Sequence, residues 1–433
     1  MSDFLGFSSS QHLLSLSMRN PGHLRVTPPN QAQAVQVWTH RGVRKVVPAT
    51  WHDQALACKP DLLEAISDAP YTSPPFSQKR LTKALERSAL WLLNLLRREP
   101  TPQNVLVQMQ GAASHPARTA WAHTLREAVD EFQGRSMEDR AFGFAFDLAH
   151  LRNAISAEPA AVAAGNVVPF LQTSLKHLRE DKLRVARTPL SPHEILLLVR
   201  DVGVDLFDAQ WAQDAAQYGV ALDFTFPAPV DSPVSASTGL AVESLNKDSR
   251  VVKRRDNGLN DLGSNLYDAF YAHDHTPLAS TYSSCSCLAC APEAPTKHLS
   301  HSNLSDVLAP IASLTSYKRS YIHHLLQTHE MSAHALLVMH NLTVLDAFFA
   351  GIRSVIKSDL EARSDDASPE IRHSGFAAEV ERFIAYYDGS LQVLEEAKGD
   401  WKEVDLARGK GRLAREKEAA ELEAAAAVTV TEA

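Results

Sequence analysis

Between about residue 33 and residue 227 the chain alternates short β-rich runs with longer helical ones, and this alternation limits the fold more than any single motif. The run "VLVQMQ" (105–110) precedes the helical "PARTAWAHTLREAVDEF", "GFAFDLAHL" (143–151) precedes a helix through "VVPFLQTSLKHL", and "LRVARTPL" precedes "SPHEILLLVRDVG". The last helix carries a start signal. Ser191 is suited to accept from an early backbone N–H, Pro192 fits the first turn, and Glu194 sets a carboxylate at the positive end of the helix dipole. "VDLFDAQ" (204–210) then reads as the next strand. Alternation of this kind builds βα units on a parallel sheet, either a barrel or a doubly wound sheet, and both place ligand sites at the C-terminal ends of strands.

The regular pattern covers a barrel part over residues 1–227. It gives way to a Ser-, Pro-, Asp- and Asn-rich segment, 228–264, that reads as a flexible insertion. A second polar stretch (291–316) reads as a loop insertion, residues 317–356 as strongly helical, 359–397 as a C-terminal helix, and the Ala/Glu/Lys-rich 398–433 as a low-complexity tail. With 45% hydrophobic residues in 433, the chain can bury a sizeable core. A formal charge of −8 argues against a freestanding nucleic-acid binder. The longest apolar runs, such as "LWLLNLL" (90–96), are shorter than the roughly 20 residues of a membrane-spanning helix, and the N-terminus lacks the pattern of a secretion signal. The expectation is a soluble cytoplasmic protein, free or peripheral at mitochondria, whose thiols stay reduced.

Three of the four cysteines fall within six positions, as C-x-C-x2-C at Cys285, Cys287 and Cys290. In a reducing compartment such a cluster favours a metal over a disulfide, and Zn2+ takes four ligands from Cys sulfur and His nitrogen. Several histidines follow, among them those at 298, 301, 323, 324, 329, 334 and 340. In "HEMSAHALLVMHNLTVLDAFF" the set Ala333, Leu337, His340 and Val344 forms one apolar stripe, so His340 is buried and needs a partner. A core histidine bonded to a carbonyl is the plain reading of such a residue; the three cysteines upstream favour a ligand instead. Cys58, on the apolar face of "ALACKPDLLEA", reads as core.

"CSCLAC" together with "YKRSYIHHLLQTHEMSAHALLVMHNL" (317–342) resembles the zinc-binding segment and C-terminal helix of the tRNA-guanine transglycosylases, or queuine tRNA-ribosyltransferases. The resemblance implies an irregular (β/α)8 TIM-type barrel with a zinc-binding subdomain, here 265–358. It also implies one structural Zn2+ on Cys285, Cys287, Cys290 and His340. About 25 residues between Cys290 and Tyr317 are extra relative to the family pattern. Upstream, "SPHEILLLVRDVGVDLFD" is similar to the family segment ending in the covalent nucleophile, which matches Asp208. "QMQG" resembles a base-recognition strand end, matching Gln110 and Gly111, and "KPDLLEAISDAP" the strand ending in a substrate-reading Asp, matching Asp68. The match starts near the family's second or third strand, which raises the expectation of an N-terminally incomplete barrel with an edge to be covered.

Catalytic members attack a ribose anomeric carbon with a carboxylate while a general acid protonates the departing guanine. The loop that supplies this acid falls near "LSLSMRNPGHL" (14–24), which has neither the Asp nor the paired glycines. The glycine loop that wraps the base falls at "GFAFDLAHL", where Asp147 and Leu148 stand instead, and the arginines after the nucleophile are replaced by "AQWAQDAAQYG". Such erosion beside an intact zinc pattern is similar to the family's non-catalytic accessory subunits. These support exchange of guanine for queuine at the wobble position of tRNA as heterodimers with a catalytic subunit, and reach tRNA through the complex. No catalytic residue is then expected. The competing readings are an active transglycosylase using Asp208 and an unrelated zinc-dependent scaffold. The basic, amphipathic "QKRLTKALERSALWLLNLLRR" (78–98) reads as an outer barrel helix with a solvated face, and the stripe Leu336, Leu337, Leu342, Leu345, Phe348, Phe349 and Ile352 as core plus subunit interface.

Overall fold

Apolar β-branched and aromatic runs that stay buried on both faces require cover on both sides, and the first half of the chain provides it with helices. The computed structural model describes residues 2–8, 10–22, 24–98, 102–157, 166–229, 254–279, 285–291, 316–364 and 375–407. It divides into two units, Met1–Trp211 and Ala212–Ala433.

The first unit is built on a parallel six-stranded sheet that forms a curled half-barrel. Its strands, in spatial order, are β1 (Ser15–Leu16), β4 (Leu62–Glu64), β5 (Val105–Gln108), β6 (Gly143–Asp147), β7 (Leu183–Arg187) and β8 (Leu206–Phe207). Leu62, Leu106, Ala145 and Val185 form a buried layer of their own, while Val105, Val107, Phe144 and Phe146 pack in the larger cluster beneath the helices. An antiparallel hairpin, β2 (Val35–Thr39) and β3 (Gly42–Val46), lies between β1 and β4 in sequence. The longer helices of this unit are α1 (Pro48–Ala57), α2 (Gln78–Leu96), α3 (His115–Arg126), α4 (Leu148–Ser156), α5 (Val168–Leu175) and α6 (Pro192–Val202). Helix α2 buries Leu81, Leu85, Leu92, Leu95 and Leu96 along one face, each Leu contributing on the order of 2 kcal/mol.

The predicted start of α6 holds. The Ser191 hydroxyl accepts from the Glu194 N–H, and Gly203 closes the helix at φ 71°, where any side chain would be strained. The expected run of parallel strands is present, but as six strands rather than a closed set of eight among the described residues. The edge expected at the N-terminal side is covered by β1, which pairs Ser15 with Leu62 and Leu16 with Leu63. Cys58 is half-buried at the C-terminal cap of α1, not a core residue.

Helix α7 (Gln210–Gln217) carries the division between the units, ahead of the boundary expected near 227. Among the described residues the second unit contains an antiparallel pair, β9 (Val220–Leu222) with β10 (Gly263–Asn265), and, after α7, four helices: α8 (Arg319–Gln327), α9 (Met331–Ser364), α10 (Gly375–Tyr386) and α11 (Gln392–Ala407). Of the segment read as an insertion, 230–253 lies outside the described residues. Its end is built into the unit: Arg255 bonds Asp261 at 2.7 Å and Glu396 at 2.6 Å, and β10 begins at Gly263. Residues 359–397 hold the end of α9, all of α10 and the start of α11. The loop insertion is outside the described residues over 292–315, as is the tail over 408–433.

Ala333, Leu337, His340 and Val344 are all buried along α9, as their spacing predicts. Leu345, Phe348 and Ile352 are buried as well, whereas Leu336, Leu342 and Phe349 stay partly open. Phe348 meets Phe224 edge-on at 5.4 Å. Met331–Glu361 is long and apolar enough to cross a membrane by length and composition, which short-run counting overlooked because Asn341, Thr343 and Asp346 interrupt its apolar runs. Its buried His340 and Asn341 bond to β9 of the same unit, the behaviour of a core helix.

Candidate metal centre and a closed barrel mouth

The second unit brings Cys285, Cys287, Cys290 and His340 together, with one donor atom from each lying within 4.8 Å of the others. The cysteines sit on a tight turn in which the N–H groups of Cys290 and Ala291 both donate to the Cys287 carbonyl. His340 comes from α9, and its Nδ1 lies 3.5, 3.8 and 3.4 Å from the three sulfurs in chain order. A tetrahedral zinc with bonds of ~2.3 Å to sulfur and ~2.0 Å to nitrogen has S···N edges of about 3.6 Å, close to the three S···N separations here, so the donor set could hold such an ion. The other ring nitrogen, Nε2, is 2.9 Å from the Leu222 carbonyl. A carbonyl only accepts, so Nε2 carries a proton and Nδ1 is the ring atom that faces the sulfurs.

The next residue completes the anchorage. Asn341 is fully buried; its Oδ1 accepts from the Leu222 N–H at 2.9 Å, and its Nδ2 donates to Ala212 at 3.1 Å and Val220 at 2.9 Å. The pair His340–Asn341 thus ties α9 to both edges of the Leu222 peptide. Four protein ligands leave no open position for a substrate. The Tyr317 N–H donates to the Ala289 carbonyl at 2.9 Å, so the chain leaves and re-enters this turn at one place on either side of 292–315.

In the first unit the sequence-predicted base-reading residues lie beyond the C-terminal ends of the strands, and their bonding capacity is taken up internally. Asp68 is fully buried. Its Oδ1 accepts from Asn30 at 2.7 Å and Arg80 at 2.9 Å, and its Oδ2 from Arg80 and Arg87 at 3.1 Å each. Four charge-assisted or amide bonds use the four lone-pair sites of a carboxylate, so Asp68 has none left for a base edge. Both arginines belong to α2, whose basic face the sequence reading assigned to solvent.

Arg19, in the stretch where the family's acid was expected, lies with its guanidinium 4.0 Å above the Tyr71 ring and donates to the Gln36 carbonyl at 2.9 Å. The Tyr71 hydroxyl donates to Asp147 Oδ2 at 3.1 Å, Gln108 Nε2 donates to the same oxygen, and Ser67 bonds Gln108 in turn. Below them Glu64 pairs with Arg187 at 2.6 Å. Burial pushes the Glu64 carboxyl up to about 7, against the pull of the Arg187 charge and with a further push from Asp147. The space left among Met18, Arg19, Glu64, Tyr71, Gln108 and Asp147 is about 20 Å3, room for one water and far too little for a purine.

Gln110 is buried with its amide nitrogen unbonded, and Gly111 stands at φ 114°, where an added Cβ would lie 2.7 Å from the backbone nitrogen of Arg118. Glycine is required there by the approach of α3. Asp208 is half-buried; its Oδ2 accepts from the Thr188 N–H at 2.8 Å and its Oδ1 from the Gln210 N–H at 3.2 Å. It ties β7 to the start of α7, and burial raises its pKa while these two N–H groups oppose the rise.

A family model described as queuine tRNA-ribosyltransferase matches residues 4–363. The chain belongs to this family. Proteins called queuine tRNA-ribosyltransferase accessory subunit 2 are similar to it. The one from Drosophila yakuba is 26% identical over 360 residues, covering 83% of this chain and 70% of its own length; that from Drosophila persimilis is 26% identical over 363 residues, with the same coverage. The Drosophila melanogaster protein of the same name is 25% identical over 360 residues. Within the family, the saturated Asp68 and the filled mouth are the features of this chain that bear on chemistry.

Proposed function

We propose that this protein is a non-catalytic accessory subunit of a queuine tRNA-ribosyltransferase. On this reading it joins a catalytic subunit in a heterodimer that exchanges guanine for queuine at the tRNA wobble position, in the cytoplasm, free or peripheral at mitochondria. The observation that carries the proposal is the state of Asp68. A carboxylate held by Arg80, Arg87 and Asn30 next to a space of about 20 Å3 can neither admit nor read a purine. The relatives named as accessory subunits support the same reading.

Zinc is the cation whose geometry suits the four donors, and Cys285, Cys287, Cys290 and His340 would hold it. Bound there it would supply folding free energy and no reaction chemistry. The partly open side chains of α9, Leu336, Leu342 and Phe349, are then the surface offered to the catalytic subunit, with tRNA reached through the complex. Co-purification with a catalytic subunit, followed by guanine exchange with and without this chain, tests the proposal. Exchange is expected only when the partner is present, and it should be unchanged by Asp208→Ala in this chain. Exchange by the chain alone would overturn it.

A further inference from the structure

A large cavity in the first unit lies beside the closed mouth rather than in it. A cleft of about 690 Å3 opens between the hairpin β2–β3 and the segment after β1, a size typical of small-ligand sites. Among the described residues it shares only Met18, Arg19 and Tyr71 with the filled mouth, and no carboxylate lines it. Trp38 is 47% exposed in its wall. The indole is fixed, because its N–H donates to the Val26 carbonyl at 3.0 Å, and the Arg25 guanidinium lies 5.8 Å from the ring centroid.

The charge around this cleft departs from that of the chain. From Phe4 to His52 there is no Asp or Glu, while Arg19, Arg25, Arg41, Arg44 and Lys45 are present, in a protein of net charge −8. Arg25, Arg41, Arg44 and Lys45 are exposed and form no salt bridge among the described residues. The register pairs Lys45 with Gln36 and Val43 with Trp38, so Lys45 projects from the same face of the ribbon as the indole. A rigid exposed aromatic ring with the unpaired Arg25 beside it and hydroxyl and amide groups of Thr39 and Asn20 in the wall offers three things at once: a stacking platform, a cation for an anion and hydrogen-bonding edges.

We propose that this cleft binds a nucleotide unit, with the base stacked on Trp38 and the phosphate held by Arg25. The unit is either a free nucleotide or part of a single strand of RNA. The cleft belongs to this chain alone, so the inference does not depend on the accessory role.

The test is equilibrium binding to the full-length chain of the common ribonucleoside 5′-monophosphates, a single-stranded oligoribonucleotide of about ten residues, and inorganic phosphate, at ~50 and ~200 mM salt. Nucleotide binding should fall about tenfold in Trp38→Ala, persist in Trp38→Phe, and weaken without base preference in Arg25→Ala, with far-UV circular dichroism unchanged in each. An oligomer that binds more tightly and with a steeper salt dependence than the monophosphates assigns the site to RNA; equal affinities assign it to a free nucleotide. Absence of binding by both probes, unaltered affinity in a folded Trp38→Ala, or phosphate binding as tightly as the nucleotides would overturn the proposal.

Discussion

If Asp68 is a structural ion-pair centre, its arginines stabilise the protein more than they serve any ligand. Arg80 gives the carboxylate two bonds, at 2.9 and 3.1 Å, and Arg87 a third at 3.1 Å, while the Asp68 side chain is 0% exposed and the arginines only 22% and 25%. Arg80→Met keeps the apolar stem but removes two charge-assisted bonds, and should cost about 2–3 kcal/mol. Arg80→Met with Arg87→Met leaves a buried carboxylate with Asn30 alone, and should cost about 3–5 kcal/mol, with the two losses non-additive because they share one partner. Adding Asp68→Asn to the double variant removes the orphaned charge and should recover part of the loss. Urea unfolding of the full chain measures all of these, and guanine exchange by the assembled enzyme should be unaffected by Asp68→Asn. A triple variant no more stable than the double, or an exchange rate that falls with Asp68→Asn, would refute the structural role.

Three further outcomes are expected. Cys287→Ser and His340→Ala should each reduce bound zinc from about one ion per chain to near none by elemental analysis and lower the thermal midpoint, since such a site can supply on the order of 10 kcal/mol; unchanged metal in both would sink the assignment. Excising 292–315 through a short Gly-Ser link should leave metal content intact and stability within about 1 kcal/mol, because the Tyr317–Ala289 bond already closes the loop; loss of metal would show the segment takes part in the site. Glu64 is raised from 4.5 to about 7 in the fold, so its contribution is complete below the unfolded value and is lost as pH rises through about 7. Relative to Glu64→Gln, the wild type should lose up to about 3 kcal/mol between pH ~4.5 and ~7, read from urea midpoints; a constant difference across that range contradicts the burial argument.

The parts of this protein that were legible in sequence are those whose signal is local or periodic. Ser191, Pro192, Glu194 and Gly203 bracket α6 within one short stretch, and the stripe Ala333, Leu337, His340, Val344 follows from helical period alone. The cluster of Cys285, Cys287, Cys290 and His340 was legible because three of the four lie in six residues and the fourth has a chemistry that burial must satisfy. Asn341, whose three bonds set β9 against α9, carried no such signal: an asparagine in a helix looks the same whether it clamps a strand or faces water. Arg80 and Arg87 were hidden for a similar reason. Their helix has a wide polar face, and only the path of the chain from β4 into α2 reveals that two of its cations turn inward to Asp68.

The same residues decide whether docking with a partner could reopen the barrel mouth. To present Asp68 to a base, Arg80, Arg87 and Asn30 must all release it, a rearrangement that costs about 3–5 kcal/mol before any ligand binds. Arg19 must also leave Tyr71, and Asp147 must give up Gln108 and the Tyr71 hydroxyl to clear a space. An interface could supply that energy, since a shift of this size corresponds to a differential affinity of a few hundred- to a few thousand-fold. It could not supply the missing acid. The stretch 14–24 contains no carboxylate, and rearranging Arg19 does not create one. Opening the mouth would therefore leave Asp208 still bonded to the Thr188 and Gln210 N–H groups, with no acid from that stretch to protonate a leaving guanine.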